Sequence, residues 1–190
     1  LIKDECHQAT NNLDTLSAKY FSKTVNFSAT PNLRRGQTPD VQITDDEAVQ
    51  AKLIKRVELG ADTDAVEDAL CRFEQIQQDY TSLEVNPCLI IQISNKDKAD
   101  REWQEQIRPA LDRHQGLKWM LIVDNPKMCD TNDDLKKLKP DKWKDYAKRS
   151  TSSIDVIIFK MTISEGWDIP RACMLYQVRD SQSKQLDEQV

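Results

Sequence analysis

The sequence predicts a doubly wound α/β fold, and three observations carry that prediction. Cys88-Leu89-Ile90-Ile91-Gln92-Ile93 is a nearly unbroken apolar run of strand length, the pattern of a strand buried on both faces of a parallel sheet. Residues 118–123 and 154–159 repeat the pattern, and residues 174–178 supply a shorter version. Helical stretches separate these runs, and strands alternating with helices specify a layered α/β domain with right-handed crossovers.

The first stretch, Leu1-Ile2-Lys3-Asp4-Glu5-Cys6-His7, reads as another buried parallel strand. It delivers Asp4 and Glu5 at its carboxyl end, where open α/β sheets bind ligands. Adjacent acids there suit a nucleotide. One carboxylate can hold Mg²⁺ against the β- and γ-phosphates while a second group orients or deprotonates the attacking water. Asp4 reads as the metal-side acid and Glu5 as the water-side base. Strand-end acids also serve simply as helix caps.

Residues 9–21 place Leu13, Leu16 and Tyr20 at helical spacing, so a helix follows the first strand. Residues 24–27 read as a short strand, and Ser28-Ala29-Thr30-Pro31-Asn32 turns out of it because Pro31 pushes Thr30 away from α geometry. Residues 33–40, rich in Arg, Gly, Thr and Pro, read as a connection with a domain boundary in or just after it. Thr44 with Glu47 has the spacing of a capping box, so a helix starts there. Residues 53–59 could continue that helix or form a strand, and Gly60 stops either. Thr63 can cap a longer helix with Val66, Leu70, Phe73, Ile76, Gln77 and Tyr80 largely on one face. Its acidic opening, Asp64, Glu67 and Asp68, suits the helix dipole.

Asn86-Pro87 breaks that helix ahead of the 88–93 strand. Residues 99–114 read as a helix ended by Gly116, residues 124–134 as a polar loop, and residues 135–139 and 143–149 as short helical pieces. The Lys-rich stretch from Lys127 to Arg149 is nearly cancelled by Asp130, Asp133, Asp134, Asp141 and Asp145, which favours a solvated face over a phosphate-tracking patch.

The 190 residues suffice for one large domain or two small ones. With 38% hydrophobic and 31% charged residues, the composition is that of a soluble, helix-rich globular protein. No apolar run approaches the roughly 20 residues of a membrane helix, so no membrane partner is expected. The net charge of −5 argues weakly against a simple DNA-coating protein. Five cysteines without a C-x-x-C pair indicate neither a disulfide framework nor a zinc site, and fit reduced thiols in a cytoplasmic protein. The chain opens inside an expected core strand, with no signal peptide, and therefore reads as an excised piece.

After the 154–159 strand comes Lys160-Met161-Thr162-Ile163-Ser164-Glu165-Gly166-Trp167-Asp168-Ile169-Pro170. Gly166 permits a tight turn and Asp168 can accept from a hydroxyl or an arginine. Taken together, Asp4-Glu5-Cys6-His7, Ser28-Ala29-Thr30 and Glu165-Gly166-Trp167-Asp168-Ile169-Pro170 resemble motifs II, III and V of superfamily 2 helicases. The Ser28-Ala29-Thr30-Pro31-Asn32 run with the Glu-Gly-Trp-Asp-x-Pro loop is most similar to the Res subunit of type III restriction enzymes.

That resemblance implies RecA-like parallel sheets flanked by helices. Residues 1–40 would form the end of the first lobe and residues 41–190 most of the second, cut before motif VI. It implies ATP and Mg²⁺ as ligands, Asp4 holding the metal and Glu5 activating water. His7, Ser28 and Thr30 would couple nucleotide state to lobe movement, although a strand-end histidine is also commonly just hydrogen-bonded nearby. Gly166 and Asp168 would face the nucleotide, and Thr162 would lie near the nucleic-acid path. Trp167 reads as core packing rather than a base-stacking platform. The implied activity is ATP-driven movement on DNA, with a modification methyltransferase subunit as partner. No G-x-x-x-x-G-K-[ST] phosphate loop occurs in the chain, so hydrolysis by this piece alone should be negligible. An RNA-sensing or RNA-processing helicase of the same superfamily, or a non-catalytic binding module that kept the fold, are the competing readings.

Overall fold

The structure, a computed structural model, describes residues 1–4, 6, 11–29, 31, 33, 36–60, 65–94, 97–160 and 168–178. The chain forms two compact units, Leu1–Gly60 and Ala61–Val190. The helix opened by Thr44 therefore belongs with the first unit.

In the first unit, strands β1 (Ile2–Lys3) and β2 (Val25–Asn26) pair in parallel, Ile2 opposite Val25 and Lys3 opposite Asn26. Helix α1 (Asn11–Tyr20) lies between them in sequence. The parallel pairing is as expected, but the burial is not. Ile2 is exposed, whereas Lys3 is buried with its ammonium 2.6 Å from the Asp14 carboxylate on α1. A parallel strand is buried only when other strands and helices cover it, and β1 has a single strand partner among the described residues.

Helix α2 (Asp45–Gln50) begins at the expected capping box. The Glu47 amide donates to Thr44 Oγ1 at 3.3 Å, and the Thr44 amide donates to Glu47 Oε2 at 2.8 Å. The Thr44 amide, together with the Thr44 hydroxyl that donates to the same oxygen, holds the Glu47 carboxyl below its ordinary pKa. The helix stops in a Schellman arrangement: the Leu53 amide donates to Ala48 O, the Lys52 amide donates to Val49 O, and Lys52 itself adopts φ 59°. Residues 53–59, which could have continued as helix or strand, form neither.

The second unit is built on a five-stranded sheet in the order β5-β4-β6-β3-β7. Strands β3 (Cys88–Ile93), β4 (Trp119–Ile122), β6 (Val156–Lys160) and β7 (Ala172–Gln177) are parallel, and β5 (Asp130–Thr131) runs antiparallel along the edge of β4. Every residue of β3 is buried, as its apolar run predicts. Leu89, Ile91 and Ile93 pack with Val66, Leu70 and Phe73 of α3 (Val66–Asp79). Cys88 and Ile90 pack with Trp143 and Ala147 of α6 (Pro140–Ala147). Alternate residues of one strand thus serve two cores, which requires apolar side chains at successive positions.

Helix α4 (Asp97–Glu102) runs into a π-helical turn, Trp103–Ile107, and then α5 (Arg108–Arg113). Pro109 explains the wide turn. It has no N–H for an ordinary helical bond, and its ring would meet the carbonyl four residues back; the Arg108 amide donates instead to Trp103 O, five residues back. The turn seats Trp103 edge-on against Trp119, ring centroids 5.0 Å apart, with the Arg108 guanidinium 4.9 Å from the Trp119 ring.

Buried polar groups hold the amino-terminal edge of the sheet. The Asp155 carboxylate accepts from Gln77 Nε2 and Asn86 Nδ2, both at 3.0 Å, and from the Lys118 amide at 2.7 Å. Arg171, also buried, donates to the carbonyls of Ala147 and Asn86 and to Ser152 Oγ. No helix among the described residues is long and apolar enough to cross a membrane.

Candidate functional site

In the first unit the site is made by strand pairing. The Val25 amide donates to Leu1 O at 2.9 Å, the Phe27 amide to Lys3 O at 2.8 Å, and the Cys6 amide to Phe27 O at 3.0 Å. Asp4 and Ser28 therefore follow the carboxyl ends of two adjacent parallel strands, tied together on both sides of Asp4. Asp4 is exposed and Ser28 half-buried. The charge of the neighbouring Lys3 is spent on Asp14. Glu5, His7 and Thr30 lie outside the described residues.

An exposed carboxylate at a strand end is chemically fit for Mg²⁺, which takes one or two carboxylates and completes its shell with water and phosphate oxygens. Among the described residues no group of three or more His, Cys, Asp or Glu side chains is arranged to hold a metal on its own.

The second unit offers a different arrangement at the carboxyl ends of its strands. Strands β3 and β6 are neighbours, with Ile93 opposite Lys160. The chain leaving β3 enters α4 and the turn that packs Trp103 and Ile107 on the α3 side of the sheet. Ile169, ahead of β7, packs against the opposite core, the one that holds Trp143. The carboxyl ends of parallel strands are where open α/β sheets bind ligands.

At these strand ends the Ser94 amide donates to the buried Glu102 carboxylate at 2.8 Å, and Lys160 is half-buried. Gln92 is fully buried on β3. Its Oε1 accepts from Gln177 Nε2 on β7 at 2.8 Å, while its own Nε2 has no partner among the described residues. A buried donor left unmade costs about 1–3 kcal/mol. Sequence reasoning passed over Gln92, Ser94, Glu102 and Lys160; the one available signal was a polar residue inside the apolar run 88–93.

Asp168 is exposed, on the stretch that leads into β7. The Ala172 amide donates to Ile169 O at 2.9 Å, and the Arg171 carbonyl accepts from the Cys88 amide at 3.1 Å, so this end of the crossover is fixed to the amino-terminal edge of the sheet. Thr162, Gly166 and Trp167 lie outside the described residues, as do the others of 161–167. Asp4 and Ser28 share one unit and Asp168 belongs to the other. Among the cysteines, Cys88 is inert, burial pushing its thiol up to about 12.

No protein-family model matches the chain, and no curated protein matches it. Its architecture is mixed α/β, with a mostly parallel five-stranded sheet flanked by helices and compatible with a RecA-like lobe.

Proposed function

We propose that this chain supplies nucleotide-binding and coupling parts of an ATP-driven nucleic-acid motor, a superfamily 2 translocase of the kind found in type III restriction enzymes. The observation that supports this reading most is the β1–β2 register, which brings the Asp4 and Ser28 strand ends side by side. On this reading residues 1–40 end one RecA-like lobe, completed by a phosphate-loop segment, and residues 41–190 form most of a second. Asp4 would hold Mg²⁺, which when bound offsets charge on the phosphate oxygens. Glu5 would take the proton of the attacking water. Ser28 and Thr30 would sense whether a γ-phosphate is present, with His7 on the same coupling path. From the second lobe, Gly166 and Asp168 would close on the nucleotide and Thr162 would meet the nucleic-acid backbone. Alternating closure and opening would then move the protein along DNA, with target choice belonging to other domains or subunits, a modification methyltransferase subunit being the expected partner.

Glu5→Gln tests the assignment in the polypeptide that carries this chain together with its phosphate loop. ATP affinity should be retained and turnover should fall by roughly 10²- to 10⁴-fold, the range for a lost general base. Turnover equal to that of the unsubstituted protein would remove Glu5 from the chemistry.

A further inference from the structure

At the end of α5, far in sequence from the acids it meets, His114 lies between two carboxylates of α3. Its Nδ1 is 2.9 Å from Glu74 Oε1 and its Nε2 is 3.0 Å from Glu67 Oε1. A neutral imidazole has one N–H and can donate to only one of them; both bonds are made only when both nitrogens carry protons. The arrangement therefore specifies an imidazolium. Arg113 adds a second cation, its Nε 3.0 Å from Glu67 Oε2. The ring is largely buried, whereas Glu67 and Glu74 are partly open to solvent. Among the described residues no group of three or more His, Cys, Asp or Glu side chains is arranged to hold a metal ion.

We propose that His114 is a pH-responsive clasp, its ring bridging Glu67 and Glu74 to fasten the end of α5 to α3 and releasing one of them when it loses a proton. The groups facing it are Glu67 and Glu74 from α3 and Arg113 from its own helix. Strand β7, which also packs against α3, has no charged side chain, and its Cys173 and Tyr176 pack on the apolar cluster. In the neutral ring one nitrogen presents a lone pair to a carboxylate oxygen, so that contact turns repulsive and the helix end loosens.

The direction of the titration agrees with the geometry. The bond to Glu74, opposed by partial burial and reinforced by Glu67, raises the His114 pKa above its ordinary 6.5. A raised histidine contributes its stabilisation fully below the unfolded value, and the contribution is lost as pH rises through the folded value. The bond from Arg113, with a smaller share from His114, lowers the Glu67 pKa below its ordinary 4.5. The Glu67 contribution is present above that ordinary value and fades as pH falls through the lowered one. The clasp is thus tightest in mildly acid to neutral solution.

The experiment is an NMR titration of the imidazole signals of the full chain, which has two histidines; the resonance missing in His114→Gln is the one to follow. Thermal unfolding is recorded in parallel from about pH 5.5 to about pH 9, a span centred on the histidine range. His114 should titrate above 6.5 and lose that elevation in Glu67→Gln/Glu74→Gln. The Tm of the unsubstituted chain should fall by about 3 °C more across the span than that of His114→Gln. A His114 that titrates at or below 6.5 overturns the clasp, and so do equal pH slopes of Tm in the two proteins. If His114→Gln does not fold, the resonance is assigned by elimination with His7→Gln, and the titration of the unsubstituted chain decides.

Discussion

Strands β1 and β3 both read as aliphatic segments ending in polar residues, yet they sit in opposite physical situations. All six residues of β3 are buried between two helical layers, whereas Ile2 of β1 is 73% exposed. The same division runs through the two units. Every buried hydrophobic residue among those described belongs to Ala61–Val190, while thirteen of the seventeen exposed large hydrophobics belong to Leu1–Gly60. Burial comes from the number of layers available to cover a strand, not from the strand's own hydrophobicity. Local rules also operate without burial. Helix α2 has a complete capping box and Schellman stop, although none of its residues is buried.

The comparison breaks most sharply on paired truncations. Phe73 is fully buried under β3, so Phe73→Ala should cost about 3–5 kcal/mol in denaturant unfolding. Leu59 is 97% exposed, and Leu59→Ala should stay within about 0.5 kcal/mol. A cost above about 2 kcal/mol at Leu59 would mean that the first unit holds a core of its own. A finer test is Thr44→Ala, which removes the cap of α2 and should weaken that helix locally by about 1 kcal/mol. Amide exchange should quicken across 45–50 with no change in the unfolding of the second unit. A shift of the global transition instead would tie α2 to the main core.

These contrasts also show what the sequence made legible. Strands β3, β4 and β6 were readable because a parallel core strand needs consecutive apolar residues, and the α2 start was readable because its cap is local. What escaped depended on partners distant in sequence or on an unusual residue. The two-residue edge strand β5 sits in a polar loop and exists through pairing with β4. The stop of α2 uses Lys52 where glycine is the usual signal, and the π-helical turn follows from a single proline, Pro109. The His114 clasp joins residues 40 and 47 positions apart, beyond any local pattern. At the candidate site, the pairing that unites Asp4 with Ser28 was legible as two strand ends. The buried amide of Gln92 was not, because its neighbour Gln177 arrives from another strand.

The central claim is that the Asp4 and Ser28 strand ends belong to a nucleic-acid motor. The most direct measurement is steady-state ATP hydrolysis by the polypeptide that joins this chain to its phosphate loop, with duplex DNA, single-stranded DNA and RNA compared. The account predicts hydrolysis that rises severalfold with DNA. Absence of hydrolysis with every nucleic acid, in a protein that binds ATP, would contradict it and favour a binding module built on the same fold.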